Sequence, residues 1–317
     1  MNKQALRADI LLLITACVWG FAFAAQRSAM DDMGPFTFNG IRFILGSLSL
    51  VPPVIFRLRS PKRRNDGTTG RPLTGKTVAA YSFLAGGCLF IAVTMQQIGI
   101  IYTTAGNSGF ITGLYVVLTP ILGIFLGKKT GLPTWIGAAF TLAGLFFLSA
   151  ASQVFGRDPS APVHLNPGDI ITAVSALFWA LHMLLIDSLV RRMDPVVLAS
   201  GQFIVCGILS MAVALFREAT PPDAFLKCVI PILYSGLGSV GLAYTLQAVG
   251  QKYAPPAHAA IILSLEGVFA AIGGVIFLAE PLGAWTLLGF VLILGGMLTT
   301  QLDVILGGRK MPGATVP

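Results

Sequence analysis

Eight side chains of this sequence carry chemistry that apolar surroundings make costly: Trp19, Arg42, Asn107, Tyr115, Trp179, His182, His258 and Glu266. Each lies inside or at the edge of a long apolar run. Glu266 stands about ten residues into the run 257–279. A carboxylate at such depth in hydrocarbon costs roughly 3 kcal/mol or more unless it is paired, protonated or wetted. One reading is a cavity residue that holds a cationic group or carries a coupling proton. The plainer one is a packing residue hydrogen-bonded to a neighbouring helix. Arg42, in the run 36–56, keeps its charge. It must therefore pair, with Glu266 or with a substrate carboxylate, or snorkel to the nearer interface. Trp19 and Trp179 fall mid-run, where an indole N–H is less comfortable than at an interface. They serve either as a wall that stacks on substrate or as packing. His182, three residues after Trp179, can share its face.

These residues need elements to position them, and the composition says what kind. Of 317 residues 55% are apolar and only 11% charged. Ordinary soluble domains carry roughly 25% charged residues. Mean hydropathy is +0.81. A chain with so little charge cannot cover a soluble core, so most of its surface must face lipid. The net charge of +8 does not indicate nucleic acid, because the basic residues fill short breaks between apolar runs. Such loops suit anionic lipid. Cys17, Cys88, Cys206 and Cys228 lie within or at the edge of apolar runs and form no Cys-x-x-Cys pair. They read as small core residues, neither a disulfide framework nor a metal site.

Ten runs are long enough to cross a bilayer as helices: 10–27, 36–56, 77–99, 105–126, 132–151, 169–188, 196–216, 228–250, 257–279 and 284–306. Only helices satisfy the backbone in lipid from within one segment. Lys3 and Arg7 precede the first run, but no small-residue cleavage site leads into a soluble domain, so it reads as an uncleaved span. One side of this arrangement holds sixteen Lys and Arg, among them Arg57, Arg59, Lys128, Lys129, Arg191 and Lys252, and the other holds Arg27, Arg157, Arg217 and Lys227. That imbalance predicts a multi-pass protein with both termini in the cytoplasm. The basic loop 57–76 is expected to meet lipid headgroups.

The halves repeat. At an offset of 160, Asp9-Ile10, Trp19, Met33 and Pro35 match Asp169-Ile170, Trp179, Met193 and Pro195. At an offset of 151, the run Thr94 to Gly99 recurs as Thr245 to Gly250, and Tyr102 matches Tyr253. The same offset pairs Asn107 with His258 and Tyr115 with Glu266. On each helix the two polar residues, 107 and 115 or 258 and 266, are eight positions apart, about 80° around the axis, so they share one broad face. Spans 4 and 9 are therefore expected to face each other across a cavity, although an ordinary interfacial histidine also explains His258. Gln96 and Gln247, a further repeated pair, are expected to hydrogen-bond between helices. The predicted organisation is repeat 1 at 1–151, a linker at 152–168, repeat 2 at 169–306 and a tail at 307–317. Five spans per repeat is odd, so the second repeat enters the membrane inverted. The predicted fold class is an all-α membrane protein of ten transmembrane helices in two inverted five-helix repeats, an architecture that binds substrate between the repeats.

The sequence resembles the drug/metabolite transporter superfamily, specifically its EamA-type transporters. The resemblance rests on Trp19-Gly20, Arg42-Phe43, the run Ala105 to Pro120, and Ser264-Leu265-Glu266-Gly267-Val268-Phe269-Ala270-Ala271 with Leu278-Ala279-Glu280-Pro281. It spans nearly the whole chain. It departs at Gly267, where the family often has proline after the glutamate. The resemblance implies transport without a bound cofactor and efflux of amino acids, metabolites or drugs. Combined with the repeat, this predicts a secondary transporter of the inner (plasma) membrane, with a small-molecule substrate, lipid as its surroundings and protons as a candidate coupling ion. It predicts no enzyme and no nucleic-acid partner. A rival is an intramembrane serine protease built on Gly106-Asn107-Ser108-Gly109 and His182, since a Ser–His dyad can attack a peptide. Against it, the repeat-equivalent segment 257–260 has no serine. A channel or structural membrane protein is a second rival, though no filter-like ring of charge is visible.

Overall fold

The computed structural model describes residues 3–59, 74–127, 131–149, 151, 165–190, 192–251 and 262–306, and among these it contains helices and turns but no strand. In chain order the helices are α1 (Lys3–Ala29), α2 (Pro35–Ser49), α3 (Val51–Arg59), α4 (Gly75–Tyr102), α5 (Ala105–Thr112), α6 (Tyr115–Gly123) and α7 (Leu132–Ser149). The second half continues with α8 (Pro167–Leu189), α9 (Pro195–Arg217), α10 (Pro222–Lys227), α11 (Val229–Leu233), α12 (Tyr244–Gln251), α13 (Glu266–Leu278) and α14 (Ala284–Leu306). Seven helical stretches of 19 to 28 residues are long and apolar enough to cross a membrane, and three shorter apolar helices lie at 132–148, 266–278 and 284–300. Large apolar side chains such as Phe83, Leu142, Phe216, Ile276 and Val291 point outward. An exposed apolar shell of this extent belongs in lipid.

Local chemistry sets the helix starts. Pro35, Pro167 and Pro195 each stand in the first turn of a helix, where the missing N–H loses no bond. Asn166 and Asp194 accept from backbone N–H groups of the turns that follow. Pro52-Pro53 stand in the first turn of α3, near the end of the helical stretch Pro35–Phe56. Proline early in a helix forfeits no hydrogen bond, which is why the pair can start a new segment after Leu50.

Helices meet through small residues. The α7–α14 contact is built from Gly137 and Gly144 against Gly289 and Gly296: a Cβ at Gly137 would meet the carbonyl of Gly296, and one at Gly296 the carbonyl of Gly137. Gly99 of α4 lies against Gly168 and Thr172 of α8, and Gly250 of α12 lies against Ala8 and Leu12 of α1. Other close neighbours are α2 with α9, α1 with α13, α4 with α9 and α5 with α13. Without a hydrophobic drive between helices in lipid, such close backbone approach is what supplies attraction.

Three spans are not simple helices. The run expected at 105–126 is broken at Gly113-Leu114, where i→i+3 bonds replace the regular pattern between α5 and α6. A second break at Ser264-Leu265 directly precedes α13. Between α11 and α12, Tyr234–Ala243 winds as a π-helix, a wider turn that is rare and concentrates at functional sites.

Candidate functional cavity

A cavity of about 140 Å³ opens between the halves. One water needs roughly 10–15 Å³, so there is room for a small solute. Its wall is contributed by α1, α2, α4, α5 and α6 from one half, and by α8, α9, the π-helix, α12 and α13 from the other. The two sequence offsets relate most of the lining residues pairwise. Trp19 faces the cavity as does Trp179, Phe23 as does Met183, Gln26 as does Ile186, and Arg42 as does Gln202. Phe43 answers to Phe203 in the adjoining core, while Val93 with Tyr244, Gln96 with Gln247, and Tyr115 with Glu266 complete the set.

Glu266 is the first residue of α13, directly after the break at 264–265, and Tyr115 is the first residue of α6, directly after the break at 113–114. The breaks thus bring one acidic and one phenolic side chain to the centre of the wall, each at a helix N-terminus. A helix start favours negative charge, and interrupted membrane helices commonly present such ends to ligands. Tyr115 and Glu266 face each other closely enough to interact. Glu266 is buried, and its Oε1 has no hydrogen-bond partner.

Arg42 is buried too, and it does not pair with Glu266. It does not snorkel, and among the described residues no carboxylate, Glu266 included, lies within ion-pair distance. Its Nε donates to Asn39 Oδ1 at 2.9 Å, and the guanidinium lies over the rings of Phe38 and Phe43 at 5.5 and 4.9 Å. Cation–π contact and one polar bond anchor its base. The cavity therefore keeps a buried cation and a buried carboxyl apart.

The two tryptophans differ. Trp19 Nε1 donates to the carbonyl of Ser239 in the π-helix at 3.3 Å, and its ring meets Tyr244 edge-on at 4.8 Å. Trp179 Nε1 has no partner, and its ring meets His182 edge-on at 5.8 Å, so these two do share a face. His182 Nε2 lies 2.8 Å from Gln202 Oε1, while its Nδ1 is unpartnered. Ser108 is buried elsewhere with its hydroxyl unbonded, so no Ser–His dyad forms between Ser108 and His182. Gln96 donates to Thr112 Oγ1 at 3.0 Å, an interhelical bond as expected, and also lines the cavity.

Six of the eight expected residues are thus gathered in one wall: Trp19, Arg42, Tyr115, Trp179, His182 and Glu266. Asn107 is not. It sits in the first turn of α5, its N–H bonded to Thr104 Oγ1, away from the cavity. His258 lies outside the described residues. Gln202, Tyr244 and Ser239 were not singled out from the sequence. The offset of 160 projects Arg42 onto Gln202, and 151 projects Val93 onto Tyr244, so the repeat held that signal. Ser239 enters through its backbone, for which no side-chain signal exists.

Comparison with known proteins agrees with this architecture. The model of the EamA-like transporter family matches residues 6–150 and 166–301. An uncharacterized transporter of Archaeoglobus fulgidus is 32% identical over 302 residues, which cover 95% of this chain and 88% of that protein. The uncharacterized transporter YvbV of Bacillus subtilis is 24% identical, with 90% and 89% covered. One protein of known crystal structure shares the fold at a TM-score of 0.62 and 17% identity, covering 95% of this chain and 99% of its own. The chain is a membrane protein and belongs to the EamA-like transporter family.

Proposed function

We propose that the chain is a secondary transporter that exports a small metabolite, amino acid or drug across the cytoplasmic membrane by alternating access. In this reading the seven long and three shorter apolar helices are ten spans. They form two inverted repeats, 1–151 and 169–306, with both termini cytoplasmic. Helix pairing supports the inversion. Packing of α4 on α8 is answered by α1 on the π-helix and α12, packing of α1 on α13 by α5 and α6 on α8, and packing of α4 on α9 by α2 on the π-helix. The pairs α2–α9, α5–α13 and α7–α14 map onto themselves. Both helix breaks also coincide at the offset of 151.

The observation that carries the reading is the shared cavity, most of whose lining positions recur in both halves and where Trp179 Nε1, His182 Nδ1 and Glu266 Oε1 are left without a partner. A site between inverted repeats is exposed to alternate faces when the halves exchange shapes. Its occupant would accept from Trp179 and Arg42 and would offer a donor or a positive group to Glu266. Glu266 is also the candidate proton carrier. Uptake and efflux in proteoliposomes, with a panel of amino acids and organic cations, with and without a pH gradient, tests this. Wild type should give saturable flux with counter-exchange, and Glu266→Gln should lose the flux or its response to the gradient. Conductance that does not saturate would overturn the carrier reading, and unchanged flux and pH response in Glu266→Gln would remove that residue from the mechanism.

A further inference from the structure

Two carboxylates of the second half reach across to helix starts of the first. Glu218 follows the last turn of α9. Its Oε1 accepts from Phe36 N at 2.9 Å, and its Oε2 from Thr37 N at 2.8 Å and Thr37 Oγ1 at 2.7 Å. Thr37 Oγ1 lies 3.0 Å from Thr220 Oγ1 as well. Glu280 follows α13. Its Oε1 accepts from Ala105 N at 2.6 Å and its Oε2 from Gly106 N at 3.2 Å. In both cases an acid satisfies orphan N–H groups at the positive end of a helix, through charge-assisted bonds.

Glycine makes room for each acid. A Cβ on Gly34 would fall on the Glu218 carboxylate, and one on Gly274 would fall on that of Glu280. Ala279 adopts a left-handed conformation, φ 51°, and Glu280 N bonds back to the Gly274 carbonyl at 3.1 Å. That reversal turns Glu280 toward α5. A non-glycine residue in this region is strained by about 1–2 kcal/mol.

Both contacts tie one half to the other, along the pairs α2–α9 and α5–α13, and both are at the same end of the bundle, where α1, α4, α9 and α13 finish. The repeat does not place acids at the equivalent positions of the opposite end. The repeat offsets carry Glu218 onto Leu58, between Arg57 and Arg59, and Glu280 onto Lys129, beside Lys128. There the start of α9 is capped by its own Asp194, at 2.8 Å to Val196 N.

We infer that Glu218 and Glu280 are a pair of staples that hold this end of the transporter shut, and that the cavity opens toward this end only when both release. They are positioning residues, and the inference rests on the two-half reading above. In that reading the stapled end is the outer one.

The test uses the full chain in lipid nanodiscs, where both faces are accessible, with Cys17, Cys88, Cys206 and Cys228 replaced by serine. Single cysteines are introduced at Gln26 or at Ile186, equivalent cavity positions three residues from the ends of α1 and α8, hence near opposite ends of the bundle. The rate of reaction with a charged maleimide is measured at each. Glu218→Ala and Glu280→Ala should each raise the rate at position 26 by about tenfold or more, as expected for loss of charged hydrogen bonds, with no rise at position 186. Gly274→Ala retains both acids and crowds Glu280, so it should shift the rates in the same direction; it also keeps the test open if an acid variant does not assemble. An unchanged rate at 26, or equal rises at both positions, would overturn the inference, since the acids would then be plain helix caps. No substrate or gradient enters the measurement. A protein that labels as expected but transports nothing counts against the proposed function and not against the staples.

Discussion

Trp19 and Trp179 occupy repeat-equivalent positions but differ by one bond, which separates fold from function at the level of a side chain. Trp19→Phe removes a hydrogen bond to Ser239 and should cost about 1 kcal/mol, seen as a lower Tm. Trp179→Phe removes a donor that bonds to nothing, so Tm should hold while the KM for substrate rises about tenfold. Equal effects of the two on Tm would show the orphan N–H to be structural. Ala279→Gly should relieve the left-handed strain and stabilise by about 1 kcal/mol in thermal unfolding. On the surface, Lys227 lies 3.1 Å from both Asp32 and Asp223. The bond to Lys227 lowers the Asp223 pKa, so its contribution is present above the ordinary carboxylate pKa and fades as pH falls through the lowered one. The bonds to Asp223 and Asp32 raise the Lys227 pKa, so its contribution is present below the ordinary lysine pKa and fades as pH rises through the raised one. Solvent screens so exposed a cluster, and Lys227→Ala should leave Tm unchanged throughout. Residue chemistry was partly legible in the sequence. Glu266 and the tryptophans announced themselves by being costly in lipid. Arg42 did not reveal its partners, because Asn39 and two rings can hold a cation as a carboxylate can.

At the scale of elements, glycine spacing decides which helices pair. Gly296 lies against Gly137 and Thr141 of α7, whereas a Cβ on neighbouring Gly295 would meet open space. Gly296→Leu should therefore destabilise by about 1–3 kcal/mol, and Gly295→Leu by little, in the same thermal assay. Matching losses would mean that the α7–α14 contact is not close-packed. Helix existence was readable from apolar runs, but helix regularity was not. Nothing in Thr112-Gly113-Leu114 distinguishes a tightened turn from continuous helix, and Ser264-Leu265 carries no proline. Both breaks arise where facing helices crowd, with Gly113 beneath Met297 and Gly267 against Phe110. The π-helix likewise follows from three-dimensional fit: its glycines, 236, 238 and 241, permit the wide turn without dictating it.

For the whole molecule, an even number of spans requires both termini on one face. Reporter domains fused before Lys3 and after Leu306 should both report from the cytoplasm; opposite reports would break the inverted-repeat reading. The sequence repeat is visible because rare residues recur at fixed offsets, and the same offsets relate most of the cavity wall. What the offsets could not give is where the halves differ, and the carboxylate bonds of Glu218 and Glu280 are one such difference among the described residues. A carrier clasped on one side rests unequally between its two shapes. Substrate must then do more work to fill it from the clasped face, so half-saturation differs between the two directions of flow. Maximal velocities must differ in proportion, because at equal concentrations on both sides no net movement is allowed. In the proposed carrier such a clasp would tune transport to the side where solute is scarce or plentiful, while uphill accumulation would still have to come from a gradient.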